Sequence, residues 1–82
     1  MRRKAIIPGL KNSQKICVIV NGVGFYTTVQ GATEMVFTEQ RVAVWNALEV
    51  MARENIRGYG GQIRAYDYKM VPKMVDFQVN LL

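Results

Sequence analysis

The sequence predicts an α+β fold: a two-layer sandwich in which an antiparallel sheet of β-β-α-β-β order packs on one helix. Three patterns indicate it. An Asn21-Gly22 pair between two β-branched segments is typical of a tight hairpin. A segment with apolar residues at helical spacing follows, and two further strand-like segments complete the chain. One helix on one antiparallel sheet is an α+β arrangement.

The first hairpin joins segments 15–20 and 23–29. Both central positions of a two-residue type I′ turn need a positive φ, which Asn and Gly tolerate. In this register Val20 faces Val23 and Val18 faces Phe25, so one side of the hairpin is apolar. The other side is mixed in polarity. We expect it to be partly wet or covered by a partner.

The helix is predicted from about residue 39 to residue 55, after a connection over residues 30–37. Gly58, directly after Arg57, is typical of a helix C-terminus. The apolar residues of this segment follow helical spacing and form its buried stripe. They are Val44, Trp45, Leu48, Met51, Ala52 and Ile56.

The last two strands are predicted over residues 62–69 and 74–82. Residues 59–61 form a tight loop before the first of them, and residues 70–73, with Pro72, connect the two. The final segment alternates apolar and polar residues, as a half-buried strand does. If this strand lay at an edge of the sheet, its unpaired backbone would invite strand addition.

The positive charge is concentrated at the N-terminus. The chain has 82 residues and a formal charge of +5. Residues 16–82 carry six basic and six acidic residues, so residues 1–15 hold the whole excess. We therefore predict a basic N-terminal arm or linker over residues 1–14 and one small domain over residues 15–82. Such an arm neutralises phosphates, meets an acidic protein surface, or is only a solvated tail.

The composition excludes several classes of chemistry. With no His and one Cys, the chain has no Ser-His or Cys-His pair, no imidazole metal site and no internal disulfide. Its acidic residues are dispersed, so we expect no enzyme, no metal and no cofactor. No apolar segment has the length of a membrane span or a signal peptide. We expect an intracellular, reducing location, the cytoplasm, and no membrane contact.

Basic and aromatic residues recur between residues 57 and 69. Arg64, Tyr66 and Tyr68 share one side of the predicted strand, Lys69 is adjacent, and Tyr26 is a candidate for the same side. Aromatic rings stack on bases and Arg neutralises phosphates, but Tyr and Arg are also enriched in protein interfaces. Tyr also suits a half-exposed strand that has no function. The segment 57–61 is similar to one copy of an Arg/Gly/Tyr RNA-binding box, although a helix end and a turn also explain its glycines.

Two functional hypotheses follow. The first is a small non-enzymatic nucleic-acid-binding protein, which binds DNA or RNA through a basic arm and an Arg/Tyr sheet face. The second is a protein-interaction module, a small regulator, inhibitor or assembly subunit. It would act through an open sheet face or edge strand, with an acidic partner or as a homodimer. The candidate binding residues are Arg2, Arg3, Lys4, Lys11, Lys15, Arg57, Tyr59, Arg64, Tyr66, Tyr68 and Lys69.

Overall fold

Four strands form one antiparallel sheet, and two helices pack on one of its faces, in the computed structural model, which describes residues 7–34 and 38–82. The strand order across the sheet is β2-β1-β4-β3. The predicted α+β class with an antiparallel sheet is confirmed. The elements are β1 Lys15–Val20, β2 Val23–Thr28, α1 Val29–Thr33, α2 Thr38–Glu54, β3 Gly58–Tyr66 and β4 Pro72–Leu81.

The first hairpin has the predicted turn and register. Asn21 and Gly22 have φ values of 49° and 81°, the positive values that a type I′ turn requires. Val20 lies opposite Val23 and Val18 opposite Phe25. This local signal was sufficient because the turn residues and the β-branched strands both favour the same structure.

A short helix, α1, follows β2 directly, where the sequence predicted the last strand residue, Val29, and then a connection. The Thr28 hydroxyl accepts a hydrogen bond from the Gly31 backbone N–H at 3.0 Å, which caps the helix N-terminus. A side chain at Gly31 would collide with the Thr27 hydroxyl, so glycine fits this close approach. The burial of Val29 and Ala32 in the core stabilises a helix of only five residues.

The long helix α2 agrees with the predicted helix to within one residue at each end. Its fully buried residues are Val44, Ala47, Leu48 and Met51, which belong to the core cluster, and the helix packs on β3, β4 and α1. Trp45 lies at the margin of the core, and its indole N–H donates to the carboxylate of Glu49. The helix therefore covers only the face of the sheet that carries Ile16, Val18 and Val79.

The second hairpin exists as predicted, but its bounds differ. The glycine-rich segment from Gly58 to Gly61, predicted as a helix end and a loop, is the first part of β3 and pairs with β4. A Cβ atom at Gly60 would lie 2.6 Å from the carbonyl oxygen of Phe77, so the close approach of β4 explains this glycine. At its other end β3 stops at Tyr66, three residues before the predicted end.

The last strand is central, not an edge. β4 pairs with β1 on one side and with β3 on the other. The possibility that residues 74–82 form an edge strand is therefore wrong, and the free edges of the sheet belong to β2 and β3. Sequence patterns within single strands carry no signal for this order, because it arises from pairing between distant segments.

Residues 7–14 of the predicted arm pack on the domain. Ile7 is fully buried in the core, and Leu10 packs against it. The backbone N–H of Val29 donates to the carbonyl of Gln14 at 2.9 Å. Residues 1–6 lie outside the described residues, so the arm and its cations Arg2, Arg3 and Lys4 stay a prediction.

We expect Ile7→Ala to lower the free energy of unfolding by about 2–5 kcal/mol, because it leaves a cavity among α2 side chains. Urea denaturation measures this change. Pro8→Ala is the matched control, since Pro8 is the exposed neighbour, and we expect it to change the free energy by less than about 0.5 kcal/mol. Equal effects of the two substitutions would contradict the docking of Ile7.

Candidate nucleic-acid interface

One face of the sheet is uncovered by any element within the described residues. Side chains alternate along strands, so those that do not point towards the helices share the opposite side. We call this side the open face. Its side chains come from all four strands: Cys17, Ile19, Tyr26, Gln62, Arg64, Tyr66, Met74, Asp76, Gln78 and Asn80.

The centre of the open face is flat and rich in amides. Gly60 and Gly24 lie at the two edges of the row that contains Gln78 and Ile19, so this row has no side chains at its ends. The amide of Gln78 donates to Asn80 Oδ1 at 3.2 Å. A shallow, open depression follows β3 and β4 along this region. Such a surface can receive flat groups without displacing side chains.

The two aromatic residues of the open face lie at opposite ends of it. Tyr26 pairs with Cys17 in the first hairpin and is 77% exposed. Tyr66 pairs with Pro72 at the far end of the second hairpin and is 47% exposed. About 27 Å of β4 separates the two rows at a rise of about 3.4 Å per residue. The sequence analysis named Tyr26 as a candidate for the side of the sheet that carries Tyr66. The two residues do share that side, but their rows lie this far apart.

The end of the second hairpin brings four candidate residues together. Arg64 and Tyr66 lie on the open face, and Tyr68 and Lys69 lie in the turn that follows β3. Tyr68 is 89% exposed, and Lys69 Nζ lies 5.6 Å from the centre of its ring, at cation–π distance. Tyr68 was predicted within the strand; it is in the turn because β3 ends at Tyr66.

A single carboxylate shapes this turn. Asp67 Oδ1 accepts hydrogen bonds from the backbone N–H groups of Lys69 at 2.8 Å and Val71 at 3.0 Å. Met70 has a positive φ of 62° between them. Asp side chains commonly close turns in this way. The carboxylate of Asp67 is thus directed into the turn, towards the backbone N–H groups.

Other candidate residues lie at the opposite end of the sheet. The carbonyl of Arg57 accepts from the Leu81 N–H at 2.8 Å, and that of Lys15 accepts from the Leu82 N–H at 3.1 Å. Both side chains are exposed, as is that of Lys11. Tyr59 pairs with Val79 and therefore points to the helix side. The structure thus separates Arg57 and Tyr59 from the Arg64 cluster.

Charge is segregated between the two layers. All four Glu residues lie in or directly after a helix, at positions 34, 39, 49 and 54, together with two Arg residues at positions 41 and 53. Over residues 16–82 the strands and their connections carry four basic residues against Asp67 and Asp76. The balanced count over these residues therefore divides into an acidic helix layer and a basic strand layer. The cations of the strand layer are Arg57, Arg64, Lys69 and Lys73, and Lys15 at the start of β1 and Lys11 before it add to them.

Lys73, Met70 and Met74 belong to the same hairpin end, although they were not among the candidate binding residues predicted from the sequence. All three side chains are exposed there. The signal that could have found them is Asp67, a residue type that commonly closes turns. The turn lies at residues 67–71 rather than 70–73, so β4 begins at Pro72 and residues 72–74 pair with residues 64–66.

Comparisons of the chain with protein-family models, with curated proteins and with solved structures found no match. Across residues 7–34 and 38–82, no three His, Cys, Asp or Glu side chains are grouped so that they could hold a metal ion. In the same residues no helix has the length and apolar character needed to cross a membrane. Geometry and charge are therefore the grounds for a functional proposal.

We expect Asp67→Ala to lower the free energy of unfolding by about 1–2 kcal/mol, because two backbone donors lose a charged acceptor. Chemical denaturation measures the change. Asp67→Asn, which keeps an acceptor oxygen, should lose less than half as much. If Asn and Ala at this position are equally destabilising, the side-chain oxygen does not hold the turn.

Proposed function

We propose that this protein is a non-enzymatic binder of single-stranded nucleic acid, which lies along the open face of the sheet. The observation that carries the proposal is the segregation of charge. The strand layer holds the surplus of cations, and it is also the layer whose outer face no described helix covers. A cationic surface with an uncovered flat centre suits a flexible polyanion whose bases can lie against it.

The cations are positioned to contact phosphates at both ends of the open face. Lys15 lies at one end, and Arg64 and Lys69 lie at the other; Arg57 is at the same end of the sheet as Lys15, in register with Leu81. The centre carries one carboxylate, Asp76, which accepts a hydrogen bond from the Gln62 amide at 2.8 Å. Phosphate contacts at the two ends therefore fix a strand across the amide-rich centre.

The bases have aromatic and amide partners on the open face. Tyr26 and Tyr66 are exposed at its two ends, where each can stack on one base. Gln78 lies between the rows of the two tyrosines and Asn80 lies in the row of Tyr26, and both amides supply donors and acceptors for base edges. The major groove of a duplex admits a helix or a two-stranded ribbon rather than a broad sheet face. This shape favours a single strand.

Arg2, Arg3 and Lys4 extend the proposed cation set. The chain enters the core at Ile7, so these three cations lie within six residues of a fixed point. We infer that they add phosphate contacts without base preference. Replacing all three by Ala removes their charge and leaves Ile7 in place, which a deletion of residues 1–14 would not.

The decisive measurement is fluorescence anisotropy with labelled single-stranded and double-stranded DNA and RNA, at about 50 mM and about 200 mM salt. We expect single strands to bind more tightly than duplexes. Arg64→Ala with Lys69→Ala should reduce the slope of log affinity against log salt by roughly 1.4, or about 0.7 for each phosphate that is no longer neutralised.

Arg41→Ala with Arg53→Ala is the matched control for that pair. It removes the same charge from α2, in the helix layer, and should leave the slope unchanged if binding occurs on the open face. Equal slopes for the two double variants would place binding elsewhere. No binding at the lower salt concentration would refute the proposal, because phosphate contacts are strongest there.

Stacking is tested by Tyr66→Ala, which we expect to weaken single-strand affinity by about 1–3 kcal/mol. Tyr66→Phe keeps the ring and should retain most of the affinity. The same titration measures both variants at one salt concentration. If Tyr66→Phe weakens binding as much as Tyr66→Ala does, the hydroxyl rather than the ring makes the contact.

A second candidate function, a protein-interaction module, is favoured by one observation. The end of the second hairpin exposes Met70, Val71 and Met74 beside Tyr68. Exposed apolar side chains grouped with Tyr and Arg are typical of protein interfaces. Under this proposal Met70→Ser with Met74→Ser abolishes partner capture, whereas nucleic-acid affinity is absent in the unaltered protein.

A further inference from the structure

The free edge of β3 lacks most of the features that usually protect an edge strand. β3 has nine residues, of which Arg64 alone is charged, contains neither Lys nor Pro, and pairs continuously with β4 without a bulge. Natural edge strands are normally short, charged, bulged or interrupted by Pro, because an unprotected edge pairs with other chains. Within the described residues no strand or helix occupies this edge.

The hydrogen-bonding pattern identifies the groups that this edge presents. The Leu81 N–H donates to the carbonyl of Arg57, so the odd-numbered residues of β3 face β4. Bonding direction alternates along an antiparallel strand. The backbone N–H and carbonyl groups that point away from β4 are therefore those of Gly58, Gly60, Gln62, Arg64 and Tyr66.

The sequence of β3 is complementary to itself in side-chain size. In an antiparallel pairing of two copies centred on Gln62, Gly58 lies opposite Tyr66 and Gly60 lies opposite Arg64. Ile63 lies opposite Gly61, and Tyr59 lies opposite Ala65. Every glycine thus faces a larger residue, and both tyrosines face small ones, an arrangement that covers edge glycines with aromatic rings.

We propose that two copies of this chain pair along β3 and form one eight-stranded antiparallel sheet, with a two-fold axis at Gln62. This register pairs all nine residues of the strand. It joins the outward groups of the five even-numbered residues in about ten backbone hydrogen bonds. A two-fold interface is isologous, so a self-complementary strand is what it requires.

The paired sheet keeps all helices on one side. The open faces of the two copies become one surface, with Arg64 of each copy beside Gly60 of the other. The pairing does not depend on the proposed nucleic-acid binding, since it uses backbone groups at the edge. The mass of the protein without nucleic acid tests it separately.

The first test is the mass in solution by sedimentation at tens of micromolar. We expect twice 9.3 kDa for the unaltered chain. Gln62→Pro removes a backbone donor that faces the free edge rather than β4, and Pro is tolerated in edge strands at such positions. We expect the mass of this variant to fall to that of a single chain.

Gly24→Pro is the matched control, because the Gly24 N–H faces the other free edge, that of β2. It should leave the dimer intact. A single-chain mass for the unaltered protein would overturn the proposal. So would a dimer that Gly24→Pro disrupts and Gln62→Pro does not, since pairing would then use β2.

The register has its own test, which does not depend on tolerance of Pro. In a Cys17→Ser background, Gln62→Cys should form a disulfide-linked dimer under mild oxidation, because the paired Cα atoms lie about 5.5 Å apart. Arg64→Cys in the same background should not, since its two copies lie about 13 Å apart along the strands. Crosslinking of Arg64→Cys but not of Gln62→Cys would overturn the register.

Discussion

The rest of the structure depends on one constraint: the described helices cover only one face of the sheet. α1 has five residues and α2 has seventeen, and both pack on the face that carries Ile16, Val18 and Val79. A four-stranded sheet with helices on one face buries one apolar layer and leaves the other face to solvent or to a partner. The open face, the free edges and the position of the cations all follow from that one-sided covering.

The sequence predicted what is decided locally. The Asn21-Gly22 turn, the register between Val18 and Phe25 and the extent of α2 each depend on a few adjacent residues, and each was correct. The prediction failed where the structure of a segment depends on contacts with residues that are distant in the sequence. Gly60 is in a strand because β4 approaches it, and α1 exists because Val29 and Ala32 are buried by α2. The strand order has the same origin.

The candidate site was predictable in part for the same reason. The alternation of side chains along a strand predicted that Arg64 and Tyr66 share one face. Their pairing with Met74 and Pro72 agrees with this prediction. The ends of β3 were misjudged, so Tyr59 and Tyr68 were assigned to the wrong surroundings. Counting basic and acidic residues along the sequence did not reveal the segregation of charge. Helix and strand segments follow one another in the sequence, and their charges separate only when the two layers form.

The central position of β4 has a consequence for how the chain reaches this structure. Until β4 is available, β1 has a partner on one side only, and an isolated two-stranded hairpin is at best marginally stable in water. β4 joins the first hairpin to the second, and its ladder with β1 connects residues near opposite ends of the domain sequence. Closing such a distant pair is slow compared with forming either hairpin. We therefore expect folding to be cooperative, with the pairing of β1 and β4 as its slow step.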